Sequence, residues 1–138
     1  MDRGSTTSQI SRIFFNFGKQ LGFRVSQSKS DAMSTELFVI GDHVLSVAID
    51  WRDYYLDMLV IRRINGELPK SGQTVHNNRL CSIPIRNIYN KEPPAYPGNN
   101  SRSGDALIFR LKSLIAIVQK NPVAHWDSLE RLRSTTSA

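Results

Sequence analysis

Metal binding, proton transfer and nucleophilic attack each need particular side chains at particular spacings. His43, His76, Cys81 and His125 are the soft or imidazole ligands, and none pairs at the i, i+3 or i, i+4 spacing that places two ligands on one helix face. The eight glycines form neither a G-x-G-x-x-G nor a G-x-x-x-x-G-K-S/T phosphate loop. No serine carries the G-x-S-x-G surroundings of an activated nucleophile. Asp50 and Asp53 could share proton-transfer work as a carboxylate pair. With Arg52 between them, they fit a solvated ion cluster at a strand end better. These spacings lead to an expectation of no catalytic residue, no metal and no cofactor. What remains is Asp50-Trp51-Arg52-Asp53-Tyr54-Tyr55, charged and aromatic, between two apolar runs. Trp, Tyr and Arg most often anchor macromolecular interfaces, because they offer large contact area or bidentate hydrogen bonds.

The elements that would hold this cluster follow from periodicity. Ile10, Ile13, Phe14, Phe17 and Leu21 form one helical stripe, which predicts a helix over residues 8–21. Thr6, Thr7 and Ser8 offer caps and Gly22 a stop. Residues 23–26 alternate as a short strand, and 27–35 read as a polar loop. Residues 36–40, 43–51 and 54–64 read as consecutive antiparallel strands, with turn signals at Gly41-Asp42 and Asn65-Gly66. Leu45, Val47, Ile49 and Trp51 share one face, expected to be core, and Val44, Ser46, Ala48 and Asp50 the other, expected to be partly wet. On the next strand Leu56, Met58, Val60 and Ile64 lie on one side and Asp57, Leu59, Ile61 and Arg63 on the other, both apolar in the middle as in an inner strand, and Tyr54 shares the parity of Leu56 and Met58. Residues 73–77 and 80–88 could form short strands, the second confined to an edge by Pro84.

Residues 89–104 form a long loop rich in Pro, Gly and Asn. A second helix is predicted over 105–119 through Leu107, Leu111, Leu114, Ile115 and Val118, capped by Ser103 or Asp105 and ended by Asn121-Pro122. A short amphipathic helix is predicted over 124–133. Residues 1–7 and 134–138 are expected to be disordered. The order helix, strands, helix gives an α+β fold: an antiparallel β-sheet of about four or five strands with the N-terminal and C-terminal helices packed on one face.

At 138 residues the chain fits one domain, residues 1–138. No apolar run approaches the roughly 20 residues of a membrane span, and the start MDRGSTTSQIS lacks a basic-then-apolar leader. Cys81 has no second cysteine to pair with, which fits a reducing compartment. The net charge is +6, distributed as +3 over residues 1–35, −2 over 36–78 and +5 over 79–138. An acidic middle therefore lies between basic flanks.

The stretch from Leu37 to Pro69 contains a strand with Leu-Phe, a Gly-Asp turn, VAIDWRDYYLDMLVIR and NGELP. It resembles small bacterial immunity proteins of polymorphic toxin and contact-dependent growth-inhibition systems. In several such families an aspartate followed by paired aromatic or charged residues precedes an apolar strand that ends in a Gly-containing turn before proline. Here those positions are Asp50, Trp51, Arg52, Asp53, Tyr54, Tyr55, Gly66 and Pro69, about a quarter of the chain. The resemblance implies a cytoplasmic, non-enzymatic binding protein. Its partner would be a cognate toxin C-terminal domain, whose active site or substrate path it blocks, with no membrane involved. It carries over no contact residues, since each such protein is matched to its own toxin. Many immunity proteins are acidic, whereas this chain is basic. Either its toxin has an acidic contact face or the acidic central hairpin makes the contact.

Read from residue type and strand parity, the partner-binding set is Asp50, Arg52, Asp53, Tyr55 and Asp57, with Tyr96 in the long loop as a second anchor. Trp51 and Tyr54 go to the core. The alternative function is a small basic nucleic-acid-binding protein or nuclease toxin. Its basic flanks would grip phosphates, and Tyr89 and Tyr96 would stack bases, although no helix-turn-helix or RNP-like pattern is present.

Overall fold

A computed structural model describes residues 2–41, 43–69, 75–76 and 79–120, with the backbone alone for 75, 76, 79 and 80. The chain starts with α1 (Arg3–Gln20), continues through β1 (Val25–Ser30), β2 (Ser34–Ile40), β3 (Val44–Asp50) and β4 (Tyr55–Ile61), and then β5 (Val75–His76), β6 (Arg79–Leu80), β7 (Ser82–Pro84), α2 (Ile85–Ile88) and α3 (Gly104–Gln119). Strands β1-β2-β3-β4-β7 form one antiparallel sheet in that order, and β5 and β6 pair with each other. This is the α+β arrangement expected, an antiparallel sheet with an N-terminal and a C-terminal helix. Among the described residues no helix is long and apolar enough to cross a membrane.

The two long helices, α1 and α3, each start on a side-chain cap. The Asp2 carboxylate accepts the Ser5 amide at 2.7 Å, so α1 begins five residues before the predicted Ser8. The expected disorder through residue 7 is thereby corrected, and Thr6, read as a cap, is buried inside the helix. The first turn is polar, so it contributes nothing to the apolar stripe from which the start was read. Gly22, at φ +94°, ends α1 as its position predicts. The Ser103 hydroxyl accepts the Ala106 amide at 3.2 Å and starts α3 one residue before the predicted Asp105.

The β2–β3–β4 meander has the predicted parity. Leu37, Val47 and Met58 lie abreast, as do Val39 and Leu45 with Val60, and all face the helices. Leu107, Leu111 and Leu114 of α3 and Ile10, Phe14 and Phe17 of α1 close this core. Each large apolar side chain sealed there contributes roughly 1.5–3 kcal/mol of burial. Asn65 and Gly66, at φ of 52° and 81°, form the predicted hairpin turn, with Ile64 and Glu67 exchanging backbone bonds of 2.7 and 3.0 Å.

Three expectations are corrected. The strand predicted at 23–26 runs from Val25 to Ser30, and the predicted loop at 27–35 shrinks to Asp31–Met33. The strand predicted over 80–88 becomes β7 followed by the single turn α2, with Pro84 on the sheet edge as expected. The face expected to be partly wet is more closed than expected: Phe38, Val44, Ser46 and Asp57 are buried on it, while Ala48 and Asp50 are half-buried. Parity assigns a residue to a face but does not say whether that face is covered. The predicted helix at 124–133 and the tail at 134–138 lie outside the described residues.

Candidate functional site

The β3–β4 connection is the tip of the meander, and its conformation is set by one carboxylate. Asp50 Oδ1 accepts the Arg52 amide at 3.0 Å and the Asp53 amide at 3.3 Å. Asp50 is half-buried, and its side chain is committed to shaping the turn. The turn closes at Tyr54 with φ +50°, a left-handed position that bulky residues adopt only when their surroundings hold them there.

Three arginines cover the rings of the turn, one of them that of Tyr54. Arg3, at the start of α1, lies 4.8 Å over the Trp51 ring and donates to the Ala32 and Asp31 carbonyls at 2.9 and 2.6 Å. Arg102, just before α3, lies 5.5 Å over the Tyr54 ring and donates to the Arg52 carbonyl at 2.6 Å. Arg110 of α3 lies 4.6 Å over the Tyr55 ring, donates to its hydroxyl at 2.9 Å and reaches the Leu56 carbonyl through Nε. Each contact of this type stabilises by about 0.5–1 kcal/mol at an exposed site and by more where water is excluded. Trp51 and Tyr54 also meet edge to face at 5.9 Å. The tip is thus clamped from three separate segments of chain.

Within the clamp, Trp51 is core, as its parity predicts. It is 7% exposed, and its indole donates to Thr35 Oγ1 at 2.8 Å. Tyr54 is half-buried while Tyr55 is 40% exposed, the order predicted for the pair. Arg52 and Asp53 project furthest, with side chains 69% and 64% exposed and a separation of 4.0 Å. At that exposure the ion pair contributes little.

Asp57, predicted in the exposed set, is the clear correction. It is 8% exposed, pairs with Arg86 Nε at 3.1 Å and accepts its neighbour Met58's amide at 3.1 Å. Burial disfavours the Arg86 guanidinium. The charge and hydrogen bond of Asp57, with help from Tyr55 and Glu92, outweigh that cost and raise its pKa above the ordinary arginine value. Asp57 is therefore a structural anchor.

Tyr96 lies in the long loop with its ring edge to face against Phe109 at 5.7 Å. It lines a cleft of about 320 Å³ together with Tyr54, Glu92, Phe109 and Arg110. Arg110 links this cleft to Tyr55, so the predicted loop anchor and the predicted tip belong to one surface. Arg3, Arg102 and Arg110 were not singled out from the sequence. The three arginines sit 48 to 55 positions from the rings they cover, too far for any local pattern to connect them.

Among the described residues, no three His, Cys, Asp or Glu side chains gather as a metal ion would need. Comparison with protein-family models, curated proteins and solved structures finds no significant match.

Proposed function

We propose that the chain is a binding protein of the immunity type. It recognises a cognate toxin domain in the cytoplasm through the β3–β4 tip and blocks the toxin's active site or substrate access. One observation carries this reading: a turn built around aromatic residues is held rigid by arginines from α1, α3 and the loop before α3, while Arg52, Asp53 and one side of Tyr55 stay in solvent. An interface prepared in this way loses little conformational freedom on binding, which favours affinity. The mixed charge at the tip changes the expected complement. Asp50 and Asp57 are used inside the fold, so the contact is an arginine–aspartate–tyrosine patch with Tyr96 beside it, and the toxin face would be of mixed charge.

Growth protection tests this. Cells producing the toxin encoded immediately upstream should survive when this chain is co-expressed. They should lose protection with the Arg52→Glu, Asp53→Arg double variant, at unchanged levels of folded protein. Full protection by that variant would remove the tip from the interface.

The second reading, binding to nucleic acid, is favoured by Arg12, Lys19, Lys112 and Lys120, all exposed on the two helices that cover the sheet. It calls for affinity to RNA or DNA that falls steeply with salt. A gel shift showing no retardation at moderate salt would dismiss it.

A further inference from the structure

We propose that the outer edge of β1 is a second docking site, separate from the tip, which accepts an extended acidic strand from another protein as a sixth strand of the sheet. The register defines the edge. Asp31 donates to the Ser34 carbonyl, and Lys29 lies abreast of Glu36, so Val25, Gln27 and Lys29 bond inward to β2. Ser26, Ser28 and Ser30 then point their amides and carbonyls outward, and among the described residues no strand lies beyond them. All six residues of β1 are exposed.

The other edge of the same sheet is closed. There β7 pairs with Leu59, Val60 and Ile61 and ends at Pro84, Arg110 reaches the Leu56 carbonyl, and Asp57 takes the Met58 amide. Edges are usually blunted by proline, bulges, short length or charge. Strand β1 has six residues, an unbroken register and no proline. Its one charge, Lys29, lies on the face away from the serines. A strand of this length suits addition of an extended peptide through main-chain bonds.

The chemistry of the edge names its occupant. Arg24 and Lys29 are exposed and residues 24–30 contain no acid; Glu36 of β2 lies abreast of Lys29 on its inner side, and a carboxylate on the added strand would flank Lys29 from the outer side. The small serine side chains leave room on their face for bulky apolar residues of the incoming strand. Val25 and Met33, 51% and 50% exposed, offer apolar contact at the two ends. A second copy of this chain fits less well, since it would bring a further +6 of charge against the same edge.

The test is amide NMR of the isotope-labelled protein, titrated with a short synthetic peptide of alternating Val and Glu and, separately, with its Val–Lys counterpart. The expected result is movement of the Ser26, Ser28 and Ser30 amides with the acidic peptide. Affinity should be at least about tenfold weaker for the Lys peptide and for Lys29→Glu, and absent in Ser28→Pro, which deletes one outward donor. The proposal is overturned if those amides stay still at millimolar peptide, if both peptides act equally, or if the signals move with protein concentration alone, which would make a second copy the occupant. None of these outcomes depends on the tip.

Discussion

The two sides of one sheet, β4 with its short cover β7 and the outer strand β1, treat their polar groups in opposite ways. At the β4 edge, the groups that β7 does not reach are taken by Arg110 and Asp57, and Asp57 is held in turn by Arg86. At the β1 edge the outward amides and carbonyls of alternate serines face solvent, and Lys29 stands among them. The difference teaches where acidic and basic residues serve the fold and where they are free to meet a partner. Beside β4 most of the charge is consumed internally, which makes the tip stiff and leaves Arg52 and Asp53 available. Along β1 the side-chain engagement is slight, with the Ser30 hydroxyl bonded to Thr35 at 2.9 Å and Lys29 abreast of Glu36, and most side chains there can change with little effect on stability.

The strongest challenge to this contrast is Asp57→Ala, which leaves Arg86 partly buried without its partner. About 3 kcal/mol should be lost in urea denaturation, against no more than about 0.5 kcal/mol for Lys29→Ala. Equal losses would erase the distinction between the edges. Arg110→Met comes next. It frees the Leu56 carbonyl and uncovers Tyr55, at an expected cost of about 1–2 kcal/mol. Its diagnostic is a shift of the Tyr55 ring signals, while the Met58 amide, held by Asp57, and the Ser26, Ser28 and Ser30 amides keep their exchange rates. Trp51→Phe should cost about 1 kcal/mol through loss of the indole bond to Thr35.

The smallest effect is on pH dependence. The Met33 and Ser34 amides hold Asp31 below its usual 3.8, and the Ser5 amide does the same for Asp2. A carboxylate with a lowered folded pKa stabilises the fold above its unfolded value, and that stability disappears as pH falls through the folded value. Thermal midpoints should therefore drop below about pH 4, and the drop should be shallower in Asp31→Ala.

How far the sequence revealed all this depended on which residues carry a periodic signal. The stripe of Leu107, Leu111 and Leu114 and the alternation of Leu45, Val47 and Ile49 are core patterns, and both elements lie where they were expected. Strand β1 was cut short and α1 started late for one shared reason. Ser26, Ser28 and Ser30, like Arg3, Ser5 and Thr7, are not sealed in the core and show no apolar rhythm. The tip was legible as an aromatic, charged cluster, and the order of exposure of Trp51, Tyr54 and Tyr55 followed from parity. The clamp was not legible, because Arg3, Arg102 and Arg110 meet those rings only through the packing of α1 and α3. The role of Asp57 was misread for the same reason: Arg86 lies 29 positions away, on α2.

Calorimetric titration of the folded chain with the C-terminal domain of the protein encoded by the neighbouring upstream gene puts the proposed role of the tip to trial most directly. Tight one-to-one binding is expected, weakened about a hundredfold by Arg52→Glu and unchanged by Lys29→Glu. Binding that ignores Arg52→Glu, or no binding at all, would contradict it.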